Sequence, residues 1–100
     1  KIPRGPRYDD EVAAEERSRE ALQAAKRRAD ADPAAFAAVL GVLESEPNPE
    51  IRQEVAWWLL RRADEERCRR ALRAAGAEDE DAEVRWIAHY AFRLAGREMA

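Results

Sequence analysis

Pro49-Glu50-Ile51-Arg52-Gln53-Glu54-Val55-Ala56-Trp57-Trp58-Leu59 and Ala82-Glu83-Val84-Arg85-Trp86-Ile87-Ala88-His89-Tyr90-Ala91-Phe92 align without a gap at an offset of 33 residues. Ile51-Arg52 falls on Val84-Arg85, Trp57 on Tyr90 and Leu59 on Phe92. The same offset carries Ala38-Val39 onto Ala71-Leu72 and Val42-Leu43 onto Ala75-Gly76, so two different segments share one period. A period of this length marks a supersecondary unit that cannot bury its apolar side alone and must stack on a neighbour. Extended backwards, it places Leu22 and Ala25 under Val55 and Trp58, with Ser18 where an aliphatic residue is expected, so the first unit is degenerate.

Within each copy the apolar spacing is helical. Asp32-Pro33 and Asn48-Pro49 use one device twice: an Asx N-cap, then proline at the first helical position, where its missing N–H costs nothing. They predict helices over about 33–45, with Phe36, Val39, Leu40 and Leu43 on one side, and over about 49–63. In the latter, Ile51, Val55, Trp58 and Leu59 fill one arc while Ala56, Trp57 and Leu60 spread over the other, which makes it a central helix. Asp64 predicts the cap of a fourth helix with Cys68, Ala71, Leu72 and Ala75 inward and Gly76 as its stop. A fifth follows the acidic turn 78–81, with Val84, Ile87, Ala88, Ala91, Leu94 and Ala95 on its core side. Ahead of these, Asp9 and Asp10 predict the start of a first helix over about 10–29, whose Ala14, Ala21, Leu22, Ala25 and Ala29 form a narrow stripe. The expected core is Val55, Trp58, Leu59, Leu40, Leu43, Leu72 and Ile87. Residues 1–8 carry two prolines and a glycine and read as an irregular arm, leaving 9–100 as a single α-helical domain.

Composition agrees. Of 100 residues, 46% are hydrophobic, but 22 are alanine, so the core is thin and depends on close helix approach. Net charge is −3, and 21 acidic residues offset 16 arginines and two lysines, which removes the electrostatic reason to expect a nucleic-acid partner. A single cysteine, Cys68, cannot make an internal disulfide, and no Cys/His cluster has zinc-ligand spacing. The longest run free of charge and proline, 34–43, is about half a membrane span, and no secretory leader is read at the start, so a soluble chain of unassigned compartment is expected.

Ile51-Arg52 with Val55, Ala56 and Leu59, and Val84-Arg85 with Ala88, Ala91 and Phe92, resemble the first helix of a HEAT repeat, which opens on an aliphatic residue and arginine and continues through small and aliphatic positions. The likeness covers residues 33–96, and Trp57-Trp58 departs from the small residues usual there. It implies an all-α chain of five helices in a right-handed, antiparallel HEAT-like stack, a short α-solenoid, and a binding scaffold in place of a reaction. Among HEAT-like folds, the alkylpurine DNA glycosylases have a tryptophan-containing segment similar to 51–61, but the remainder of their site has no counterpart here. The chain also looks like a de novo designed protein: threonine is absent, serine and glutamine occur twice each, and 64 residues are strong helix formers.

The anomalous residue is Trp86, roughly 150° from the centre of its helix's core stripe. Tyr90, Arg93 and Arg97 share its side by i, i+4, i+7, i+11 spacing, and His89 lies at the margin. Tyr, Trp and Arg dominate binding hot spots, so these five residues are the candidate contact surface for a protein partner or a second copy, unless Ile2, Pro3 and Tyr8 of the arm cover Trp86. The alternative from a different class is a small-molecule or haem-like cofactor site, conceivably catalytic, built on His89 with Trp57, Trp86 and Tyr90. No cofactor and no metal is expected on the favoured reading. No nucleophile stands beside a base: Ser18 and Ser45 lie on other helices, and Cys68 faces the core as a small hydrophobe. The arginines at 61, 62, 67, 69, 70 and 73 spread around the helix with Glu65 and Glu66 among them and read as a solvated face. The acids at 78–81 lack EF-hand spacing.

Overall fold

Proline and an Asx side chain start the two middle helices as expected. Asp32 accepts from the Ala34 N–H at 3.0 Å and Asn48 from the Glu50 N–H at 2.9 Å, each with extended backbone at the cap. In the computed structural model, which describes residues 6–99 and the side chains of 10–94, five α-helices follow one another. They are α1 (Pro6–Arg28), α2 (Pro33–Ser45), α3 (Pro49–Leu59), α4 (Glu66–Glu78) and α5 (Ala82–Met99), with a single 3-10 turn at Leu60–Arg62 and no strand among the described residues. Helices α2 and α3 pack as one hairpin and α4 and α5 as a second. The hairpins meet chiefly through α3 and α5, more loosely through α2 and α4, and α1 lies on α2. The resulting body measures 58 × 30 × 18 Å.

Between the layers, Leu22, Phe36, Val39, Ile51, Val55, Leu59, Cys68, Leu72 and Val84 are fully buried. Ala29, Ala56, Ala63, Ala75, Ala88 and Ala91 are buried with them, so the core is closed by close backbone approach, as the alanine content requires. Of the expected core, Val55, Leu59, Leu43, Leu72 and Ile87 are buried, whereas Trp58 and Leu40 are half-buried and pack against it. Trp58 sits at the rim of α3, its ring tilted on Phe36 at 5.4 Å, and the Arg62 guanidinium lies 3.8 Å above it. Leu22 on α1 and Ala29 in the turn after it are buried, but Ala14 and Ala21 face solvent.

Several boundaries differ from the sequence reading. Helix α1 starts at Pro6, so residues 6–8 of the expected arm are helical and Asp9 and Asp10 lie in the first turn, where the helix dipole favours acids. Residues 1–5 lie outside the described residues. The α-helical part of α3 stops at Leu59 and tightens into the 3-10 turn, with the Leu60 N–H donating to the Trp57 carbonyl. Glu65, not Asp64, takes the extended N-cap conformation before α4. Gly76 does not stop α4. No glycine among the described residues has positive φ, and the helix runs on to Glu78 before Asp79 turns extended and its N–H closes on the Ala75 carbonyl.

One ion pair ties the hairpins. The Arg52 Nε and Nη2 donate to the two carboxylate oxygens of Asp79, each at 3.0 Å, and the side chains are only 11% and 8% exposed. Arg52 Nη1 meanwhile donates to the Glu46 carbonyl at 2.7 Å and the Pro47 carbonyl at 3.1 Å, in the loop leading into its own helix. Asp79 also accepts from the Asp81 N–H at 2.9 Å, and Asp81 in turn caps α5 by accepting from the Val84 N–H at 2.9 Å. That bond, with help from Gln53 and the charge of Arg52, holds the Asp81 carboxyl below the ordinary aspartate range, while desolvation opposes it. Helix α1 is fastened by Arg19, which pairs with Glu15, Glu50 and Glu54.

Candidate functional site

Helix periodicity alone puts Trp86 and Tyr90 one turn apart on α5, and their rings stack with centroids 5.5 Å apart and planes 3° from parallel. Because α3 lies beside α5 in the repeat register, Trp57 reaches the position equivalent to Tyr90 and meets it edge-on, centroids 6.0 Å apart at 68°. These rings form one continuous strip across two helices. Trp57 is 44% exposed, Trp86 59% and Tyr90 41%. Isolated exposed aromatics are ordinary, but three in mutual contact make a patch of the sort that marks interaction surfaces.

Of the residues that the sequence singled out, Trp86 and Tyr90 are brought together, and Arg93 is exposed one turn beyond Tyr90. The side chain of Arg97 lies outside the described residues, as do Ile2, Pro3 and the side chain of Tyr8, and with them the expected covering of Trp86. Trp57 is the member that the contact surface lacked: its place on the outer arc of α3 concealed it, although the 33-residue alignment already paired it with Tyr90.

His89 is exposed, with its ring laid over α4; a methyl group added at Gly76 would stand 3.4 Å from His89 Cδ2. That is ordinary van der Waals contact, so the imidazole lies directly against α4 at Gly76. A concavity of about 620 Å³ lies elsewhere, between α2 and α4. Its floor is Ala37, Leu40, Gly41, Ala71, Ala74 and Ala75, with Arg67 and Arg70 towards one end and Glu44, Glu78 and Asp79 towards the other. None of Trp57, Trp86, His89 and Tyr90 lines it. Among the described residues no group of three or more His, Cys, Asp or Glu side chains could hold a metal ion, and no helix is long and apolar enough to cross a membrane.

The arginine-rich stretch is engaged at several points. Arg62 pairs with Asp30 and lies over Trp58, Arg67 pairs with Glu65 and lies 3.6 Å over the Phe36 ring, Arg69 pairs with Glu66, and Arg73 stands 5.3 Å from the Phe92 ring. Cys68 is buried, and burial pushes its thiol up to about 11, so at neutral pH it is protonated and a poor nucleophile.

Arg85 stands at the edge of the aromatic strip and was read from sequence only as part of the repeat signature. Its Nη1 donates to the Asp79 carbonyl at 2.6 Å and the Glu80 carbonyl at 3.1 Å, six and five residues back, which reproduces the Arg52 geometry in the second hairpin. Its Nε and Nη2, the two donors that on Arg52 hold Asp79, have no carboxylate among the described residues. No known protein family, curated protein or solved structure matches this chain.

Proposed function

We propose that the protein is a non-enzymatic binding module whose contact surface is the strip Trp57, Tyr90 and Trp86 with Arg93 and Arg85 along its edge. The observation that carries this is the unbroken contact of three aromatic side chains, each more than 40% exposed. Rigid aromatic rings already in contact lose little conformational entropy when a partner covers them, which is why Trp, Tyr and Arg carry so much interface energy. Beneath the strip, the scaffold is read as a short right-handed HEAT-like stack of designed character. Its support is that Arg52 and Arg85 make the same two carbonyl bonds at the same offset, and that Asx caps stand at that offset too, Asn48 accepting from the Glu50 N–H and Asp81 from the Val84 N–H.

Selection from a random peptide library against the full chain tests the reading. Peptides that bind should weaken by about thirtyfold or more on Trp86→Ala, the loss expected of a hot spot. The far-ultraviolet circular dichroism should stay the same, because Trp86 supports no other element. Binders that map to the α2–α4 groove and ignore Trp86→Ala would overturn it.

A further inference from the structure

The side of α3 and its 3-10 extension that meets the second hairpin carries Arg52, Gln53, Ala56 and Leu60; the equivalent side of α5 carries Arg85, Trp86, His89 and Arg93. The first set is spent on contacts with α5 and the loop before it. The second faces no further helix among the described residues, and Trp86, His89 and Arg93 are exposed on it. The first set binds a bidentate aspartate, Asp79, two residues ahead of the helix cap Asp81, in the segment Asp79-Glu80-Asp81.

From this internal template we infer that Arg85 is a preformed carboxylate socket, and that the partner of the α5 surface docks through an acidic loop of the Asp-x-Asp type at the start of a helix. The inference rests on the reading of α5 as a contact face and names the chemistry that the face recognises. Two carbonyls already hold the Arg85 guanidinium by Nη1 in the half-buried pose of Arg52, so its remaining fork is oriented before the ligand arrives. Arg93 on the same side adds positive charge, which favours an acidic partner and disfavours the same face of a second copy, where arginines would oppose each other.

The test uses the full chain labelled with ¹⁵N and an unlabelled, end-blocked peptide with the sequence of residues 77–91. Titration should move the Arg85 Nε–H and Trp86 Nε1–H signals together, while the Arg52 Nε–H, already occupied by Asp79, stays in place. A peptide with asparagine at the position of Asp79 should require about fivefold more to reach the same shift, the discrimination expected for a charge-assisted fork. Arg85→Lys keeps the charge but not the fork, and should abolish that discrimination. If Trp86 moves while Arg85 does not, or if both peptides act alike, the socket is overturned and the contact face stands. If neither signal moves in the low millimolar range, the socket is overturned, and the face is judged by the library selection alone. Signals at Arg85 that shift with protein concentration before any peptide is added would make a second copy the occupant and overturn the acidic partner.

Discussion

The two hairpins share one sequence register, but among the described residues the first has neighbours on both sides and the second on one. Where α3 has Ala56, fully buried, α5 has an exposed His89; where α3 has the half-buried Gln53 and the turn after it the half-buried Leu60, α5 has the exposed Trp86 and Arg93. The pairing with the preceding helix changes in step: α2 presents Leu43 where α4 presents Gly76, and the small residue lies under the large imidazole. The local backbone is indifferent to this. Both helices start on an Asx cap, and both bend their arginine back to the carbonyls of the preceding loop. What separates the hairpins is which side of each is covered, and so where a partner has room.

The two hairpins differ most in their cores. Leu59 and Phe92 are equivalent, but Leu59 is fully buried under both hairpins and Phe92 only half-buried. Leu59→Ala should therefore cost about 3 kcal/mol in urea denaturation, and Phe92→Ala, although it deletes the larger side chain, about half of that. Equal losses would mean that the second hairpin is as enclosed as the first.

A smaller effect is expected at the arginines. Asp79→Asn leaves Arg52 half-buried without its carboxylate and should cost about 2 kcal/mol, with most of it recovered as coupling in a double-mutant cycle with Arg52→Ala. Arg85→Ala removes only two bonds to loop carbonyls and should cost about 1 kcal/mol or less. A loss at Arg85 as large as at Asp79 would show that its fork is already filled within the chain.

The smallest difference is at the caps, where Asn48 is neutral and Asp81 ionised. The Val84 N–H bond lowers the Asp81 carboxyl below its unfolded value, so its contribution is complete above the ordinary aspartate range near about pH 4 and is lost as pH falls through the lowered folded value. Amide exchange at Val84 should accordingly lose protection in acid relative to exchange at Glu50, which Asn48 caps. Asp81→Asn should remove the pH dependence of that ratio. If the ratio in the unsubstituted chain does not change with pH, the cap does not depend on the carboxylate charge.

Much of this was legible in the residues. Asx–proline pairs placed the starts of α2 and α3 because both signals act within three residues of the chain. The alignment at 33 carried Arg52 onto Arg85 and Trp57 onto Tyr90, and i, i+4 spacing set Trp86 beside Tyr90. The misreadings share a cause. The local habit of glycine marks Gly76 as a stop, but α4 continues through it beside the His89 ring of α5, and the apolar stripe puts Trp58 in the core although it lies at the rim under Arg62. Trp57 was left out of the contact surface because a single helix's wheel cannot show which neighbour runs alongside.

What the sequence determined by itself is the local layer: an all-helical chain, the helix starts that their caps specify, the repeat offset and the apolar stripes, since each depends on backbone sterics and spacing within a few turns. Only the tertiary structure decided which equivalent positions are covered and which are open. That follows from the lateral packing of α3 on α5 and of α2 on α4, which gives Arg52 its aspartate and leaves the fork of Arg85 without one among the described residues, because a side chain's burial and its partners are set by the helix beside it and not by the residues along it.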